Sequence, residues 1–253
     1  MLPVTPSFRL DARRAFIAGA SRGIGRAAAV ALAEAGAEVV VSARSESELE
    51  ELCAELTAAG RAARWAVLDV SDSAAVDRVF DEYGPFDVVV NSVGINRPVE
   101  LVDLADADLH DMLNLNVTAA FYLARAAARS MIAAGAGGSI ITISSQMGHV
   151  GSPRRTVYSA TKHALEGLTK SLAWEVGSAG IRVNTVCPTF IETDLTKPML
   201  DQPGFRDWVN SRNALGRVGT VEEVMGAVVF LASDASSLVT GSSLLLDAGW
   251  TAQ

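Results

Sequence analysis

The sequence predicts one α/β domain, a doubly wound, seven-stranded parallel sheet with helices on both faces. Three observations predict it. Short apolar runs rich in β-branched residues alternate with helical stretches throughout the 253 residues. The runs are continuously apolar rather than polar at every second residue, so both faces of the sheet have to be covered. No linker rich in Pro, Gly or Ser interrupts them, which places a single domain over residues 11–253 behind a flexible tail at 1–10.

The seven runs are RAFIAG (14–19), EVVVSA (38–43), ARWAVLDV (63–70), FDVVVNS (86–92), GSIITISS (138–145), IRVNTVCP (181–188) and SSLLLDAG (242–249). The intervening helical stretches include IGRAAAVALAEAGA, ESELEELCAELTAAG, SAAVDRVFDEY, VYSATKHALEGLTKSLAWEVG and VEEVMGAVVFLAS. One long helix is expected from about Ala107 to Ala134. Right-handed crossovers bring the C-terminal ends of parallel strands to one edge, and ligands bind in the crevice above it.

Composition narrows the function. Apolar residues are 49% of the chain and charged residues 20%, enough for a sizeable core. The 21 basic residues against 29 acidic give a net charge of -8, which opposes a nucleic-acid or anionic membrane partner. The N-terminus has no signal-like pattern and no segment is of membrane-spanning length, so a cytoplasmic protein is expected. Cys53 and Cys187 are read as reduced thiols, and His110, His149 and His163 have no metal-ligand spacing, so no metal is expected.

The first strand runs into AGASRGIG, which contains Gly19, Ser21, Arg22, Gly23, Ile24 and Gly25 and opens a helix. Glycines there let backbone amides approach a pyrophosphate, and the helix N-terminus favours the anion. The plainer alternative is a tight turn. With the strand-to-helix context, the pattern points to a dinucleotide-binding Rossmann fold. The second strand ends at Ser42-Ala43-Arg44, without the acid that usually meets the ribose hydroxyls of NAD. Ala43 does not repel a 2′-phosphate, and Arg44 and Arg22 can neutralise one, so NADP is expected ahead of NAD. Either arginine can equally be a solvated surface charge. Asp69, followed by Val70, ends the third strand, where it can accept the adenine amino group or cap a helix. Asn91 and Gly94 lie in the NSVG turn after the fourth.

Tyr158 and Lys162 are four residues apart, which sets them on one helical face. Ser145 ends the strand before them, and the intervening loop is long enough to bring its hydroxyl beside the phenol. With these residues the sequence resembles the short-chain dehydrogenase/reductase family from about Ala12 to Trp250. The resemblance rests on AGASRGIG, Asp69, NSVG, Asn116 in NLNVTAAF, Ser145, YSATK, NTVCP, GRVG and LLLDAGW. It implies an oxidoreductase that moves a hydride between NADP(H) and a secondary alcohol or ketone. Tyr158 would be the general acid/base, Lys162 would bind the nicotinamide ribose and lower the tyrosine pKa, Ser145 would orient the carbonyl, and Asn116 would hold a relay water. Pro188, Ile191 and Thr193 would contact the nicotinamide, and a homotetramer is implied. Ala18, NSVG, Thr189 and Asp247-Ala248-Gly249 depart from common family patterns without removing a reacting group.

For substrate, the loops at 95–99, 146–156 and 190–215 should face the site. Gln146, beside Ser145, can hydrogen-bond a hydroxylated substrate, and His149 can do the same or serve equally to pack the loop. Arg154 and Arg155 can meet a carboxylate, but paired loop arginines are more often solvated or at subunit contacts. Acyl-carrier-protein reductases of the family commonly carry basic residues near this helix, whereas here Trp174 stands in SLAWEV and the chain is acidic. A small polyol, sugar or sugar acid is therefore preferred to a 3-oxoacyl thioester. An NADP-binding regulator without turnover is the reading from another class.

Overall fold

Alternate residues of the first strand point into two different cores. In the computed structural model, which describes residues 2–252, β1 (Arg14–Ala18) sends Ala15 and Ile17 to one apolar cluster and Phe16 and Ala18 to the other. Its neighbours β2 (Glu38–Ala43) and β4 (Val88–Asn91) divide their valines in the same way. A strand buried on both faces favours apolar residues at most of its positions, which is why these segments read as nearly unbroken apolar runs.

Four more strands complete the sheet: β3 (Ala63–Val67), β5 (Gly138–Ile143), β6 (Ile181–Pro188) and β7 (Ser243–Leu246). The order is β3-β2-β1-β4-β5-β6-β7 and every pairing is parallel. One face is covered by α1 (Gly23–Glu34), α2 (Glu46–Ala58) and α9 (Glu222–Ala232), the other by α3 (Ser73–Tyr83), α5 (Ala119–Ala134) and α6 (Thr156–Val176). On the second face Phe16, Phe80 and Phe86 meet with ring centroids 5.1–5.3 Å apart. Strand order reverses between β1 and β4, and this opens the binding crevice.

Several boundaries differ from expectation. The strands foreseen at 63–70, 86–92, 138–145 and 242–249 stop earlier, because their last residues leave the ladder to build the ligand edge. At β3 the ladder closes with Leu68 N donating to Ala43 O at 2.9 Å, and Asp69 then folds onto Ser71. The helix foreseen from 107 to 134 runs continuously from Asp106 to Ala134, but with a π-helical turn inside it: α4 (Asp106–Leu113) passes through Asn114–Thr118 into α5. Two short helices, α7 (Lys197–Leu200) and α8 (Phe205–Arg212), occupy the stretch foreseen only as a loop. The segment foreseen as a loose tail contacts the body at its inner end. Ser7 O accepts from Ala235 N at 3.2 Å, Phe8 lies 6.3 Å from Phe230, and Leu10 is buried.

Candidate active site

A cleft of about 430 Å³ runs along the C-terminal edge of the strands, from Arg44 and Asp69 at one end to Ser145, Tyr158 and Lys162 at the other. Its floor is the turn after β1. Gly19 adopts φ +79°, and a Cβ on Gly25 would overlap the Gly19 carbonyl oxygen, so α1 can begin this close to the strand only with glycine there. Arg22, at the N-cap of α1, makes no side-chain capping bond, which leaves the first-turn N–H groups facing the cleft for an anion. Gly23 brings the turn against Thr193, whose Cγ2 would lie 3.5 Å from a Cβ at that position.

At the far end, Ala43, Arg44, Asp69 and Val70 line the cleft, and so do Ser21, Arg22 and Ile24. Arg22 and Arg44 are exposed, and neither forms an ion pair among the described residues. Asp69 accepts from Ser71 N at 2.9 Å and Ser71 Oγ at 2.7 Å. These bonds, with the Arg44 charge nearby, hold its carboxyl below the usual range. Glu48, an acid that the sequence reading passed over, lines the same end from the first turn of α2.

At the reacting end, α6 presents Tyr158 and Lys162 on successive turns of one face. Lys162 is buried and donates to Ile143 O at 3.0 Å, with its Nζ 5.6 Å from the Tyr158 ring centre. Burial pushes its pKa down to about 8, against smaller upward pulls from Cys187 and Glu166. Tyr158 lies above its ordinary pKa because desolvation outweighs the hydrogen bond from Ser145 and the Arg155 charge. Among the protein's own groups, then, Ser145 and Arg155 favour the phenolate. Ser145 itself is fixed by accepting from Met147 N at 3.1 Å.

Asn116 occupies the π-helical turn. Its Nδ2 donates to Ile95 O at 2.9 Å and to Thr161 Oγ1 at 3.1 Å, and its Oδ1 accepts from Ile95 N at 2.8 Å. A Cβ on Gly94 would stand 3.3 Å from Oδ1 and 3.6 Å from Lys162 Nζ, so that glycine keeps the NSVG turn close to both.

A family model described as enoyl-(acyl carrier protein) reductase matches residues 19–251. The chain is 39% identical over 251 residues to gluconate 5-dehydrogenase of Gluconobacter oxydans, covering 96% of each. It is 38% identical over 243 residues to 3-oxoacyl-[acyl-carrier-protein] reductase of Escherichia coli, covering 94% of this chain and 97% of that one. Its fold superposes with a TM-score of 0.93 on the crystal structure of a gluconate 5-dehydrogenase from Burkholderia cenocepacia in complex with NADP and tartrate, at 40% identity, with coverage of 97% and 98%. The chain belongs to the short-chain dehydrogenase/reductase family. It is accordingly an oxidoreductase fold of one α/β domain, and no helix among its described residues is long and apolar enough to cross a membrane.

Within this short-chain dehydrogenase/reductase scaffold, other expected residues take different places. Asn91 is buried and does not line the cleft; its Oδ1 accepts from Val93 N at 3.0 Å and shapes the turn. Gln146 is only 1% exposed, away from the cleft, and its Oε1 has no hydrogen-bond partner among the described residues. Pro188, Ile191 and Thr193 line the cleft beneath the roof, and Thr189 N donates to Leu246 O at 3.1 Å. The roof has its own small core of Met147, Leu200, Val209 and Trp250, with Tyr158 and Phe190 packed against it.

His149, Glu166 and Cys187, unrelated by sequence spacing, gather with one ligand atom each within 4.8 Å of one another. Glu166 already accepts from Thr185 Oγ1 at 2.8 Å and Ser243 Oγ at 2.5 Å. Burial and the Glu166 charge push the Cys187 thiol up to about 12, which keeps it protonated. These bonds describe a structural tie beneath Lys162 between α6, β6 and β7.

Proposed function

We propose that the protein moves a hydride between NADP(H) and a secondary alcohol or ketone, with a small polyol, sugar or sugar acid as substrate. The observation that carries this reading is the convergence of Ser145, Tyr158 and Lys162 at one end of a cleft whose other end is open, glycine-floored and cationic. The residues fit a dinucleotide phosphate. The Gly19–Gly25 contact leaves room for a pyrophosphate on uncapped N–H groups, and Arg22 and Arg44, which form no ion pair among the described residues, stand beside Ala43, where a 2′-phosphate would lie. When bound, the nicotinamide supplies or accepts the hydride.

The chain's own residues supply the rest. In reduction, Ser145 donates a hydrogen bond to the substrate carbonyl and Tyr158 gives its proton to that oxygen as charge develops there. In oxidation the tyrosine must accept that proton. Its ordinary pKa near 10 then needs to fall by roughly 3 units, or about 4 kcal/mol. The Ser145 hydrogen bond and the Arg155 charge act in that direction, and Lys162 adds a cation 5.6 Å from the ring centre whenever it is protonated. Asn116 holds the 95–99 loop against α6 and so positions the helix that bears both residues.

The identity to the acyl-carrier-protein reductase supports a 3-oxoacyl thioester as the second reading. The expectation of a homotetramer is supported by the exposed Phe121 on α5 and Trp174 on α6. Purified protein with NADPH and a panel of keto-sugars, keto-acids and a 3-oxoacyl thioester tests the reading by loss of reduced-cofactor absorbance. Turnover should be abolished in Tyr158→Phe while NADPH affinity stays within about threefold. Activity retained in that variant defeats the assignment, and tight NADPH binding with no turnover on any ketone favours the regulator.

A further inference from the structure

Glu48 lines the Arg44 end of the cleft, together with Ala43, Ser45 and Asp69. It sits half-buried in the first turn of α2. The run Ser45-Glu46-Ser47-Glu48 has the spacing of a capping box, in which the serine hydroxyl accepts from the Glu48 N–H and the carboxylate reaches back to the Ser45 N–H. That box is not closed. Ser45 makes no side-chain capping bond, and the Glu48 carboxylate has no hydrogen-bond or ion-pair partner among the described residues. The acids near it are committed. Asp69 accepts from Ser71 N at 2.9 Å and Ser71 Oγ at 2.7 Å, and Glu55 on the same helix pairs with Arg26.

Its direction follows from helix geometry. Each Cα–Cβ bond tilts toward the helix N-terminus, so the Glu48 side chain leans over the preceding turn, toward Ser45 and Arg44 at the end of β2. That strand end is where a dinucleotide-binding sheet selective for NAD carries an acid against the ribose hydroxyls. Here the strand ends in Ala43. Glu48 returns a carboxylate to the same corner of the cleft from the first turn of the next helix. Two guanidinium groups, Arg22 and Arg44, share the cleft with it, and neither is neutralised by it or by any other acid among the described residues.

We infer that Glu48 is a cofactor-specificity residue that works against the two arginines: it accepts a hydrogen bond from the ribose 2′-hydroxyl of NAD and repels the 2′-phosphate of NADP, so that the site takes both cofactors. The inference rests on the cofactor reading above and goes beyond it. NAD and NADP differ only at this group. With a phosphate there, Arg22 and Arg44 attract it and Glu48 opposes them. With a hydroxyl there, the arginines have no anion to neutralise, while the carboxylate has a donor for a charge-assisted bond.

The test is equilibrium binding of NADPH and of NADH, followed by cofactor fluorescence with no substrate present. Wild type should bind both. Glu48→Ala should lower the Kd for NADPH and raise that for NADH, each by about 3- to 10-fold, the size of a partly exposed charge interaction and of one hydrogen bond. Glu48→Gln, which keeps an acceptor but no charge, should retain the NADPH gain and lose less NADH affinity. Salt at 1 M should erase most of the NADPH gain, since it screens charges beyond about 3 Å. Glu46→Ala removes an acid from the same helical turn that does not line the cleft, and it should leave the ratio of the two Kd values within about twofold. Wild type that binds NADPH tightly and NADH not at all overturns the inference, and that comparison needs no variant to fold. So does an NADH affinity unchanged in Glu48→Ala, a shift of the same sign on both cofactors, a gain undiminished at 1 M salt, or an equal effect of Glu46→Ala. Each of these leaves the dehydrogenase reading intact, whereas wild type that binds neither cofactor overturns both.

Discussion

Lys162 is held where water cannot solvate its charge, and the protein spends stability on keeping it there. Burial moves its pKa from 10.5 to about 8, so below pH 8 the folded state carries an ammonium that the unfolded chain solvates better, on the order of 3 kcal/mol. The sign follows from proton counts: between pH 8 and 10.5 the unfolded chain binds more protons, so stability rises with pH in that window. Lys162→Met should therefore be more heat-stable than the wild type at pH 7, with the gap closing as pH rises from 8 towards 10, while turnover is lost. Calorimetry at three pH values checks this, and a gap independent of pH contradicts it.

At the scale of elements, the π-helical turn at Asn114–Thr118 does what a regular helix would not. It lies between α4 and α5 where Asn116 can reach the backbone of Ile95 on both its N–H and C=O. Asn116→Ala removes three hydrogen bonds around a partly buried loop, so a loss of about 2–4 kcal/mol is expected in urea unfolding. A fall in kcat/KM should accompany it as the 95–99 loop loosens; unchanged stability would mean that the turn is held by other contacts. The sequence could not show this turn, because NLNVTAAF continues the apolar spacing of both helices and the π-turn inserts without a proline or glycine to mark it. The strand-to-helix glycines were legible for the opposite reason: Gly19 and Gly25 stand where backbone contact leaves no room for another residue. The roof helices α7 and α8 escaped notice because they span 4 and 8 residues, too short for periodicity to register.

At the scale of the whole molecule, a parallel sheet with two dry faces made the architecture readable from unbroken apolar runs. Phe16 stands in that sheet with 0% exposure, against Phe80 and Phe86. Phe16→Ala should cost about 3–5 kcal/mol, a large share of the roughly 5–15 kcal/mol that holds a domain folded, seen as an early urea midpoint. A small shift would mean that the face repacks around the gap. Long-range pairings of polar groups were not readable. Glu166 meets Thr185 19 residues away and Ser243 77 residues away, and no spacing rule connects them. Gln146 shows the complementary failure: adjacency to Ser145 in sequence suggested a place in the site, while the chain's path turns its side chain inward.

The Glu166 tie also has a bearing on the order in which the protein is made. The carboxylate one turn beyond Lys162 closes its bonds on a hydroxyl of β7, the last strand of the sheet along the chain. A ribosome-bound chain that has released α6 and β6 but not residue 243 has its reacting side chains in sequence yet lacks one of the two hydroxyls that hold their helix from beneath. The tie beneath Lys162 is thus completed only when synthesis has passed the last strand.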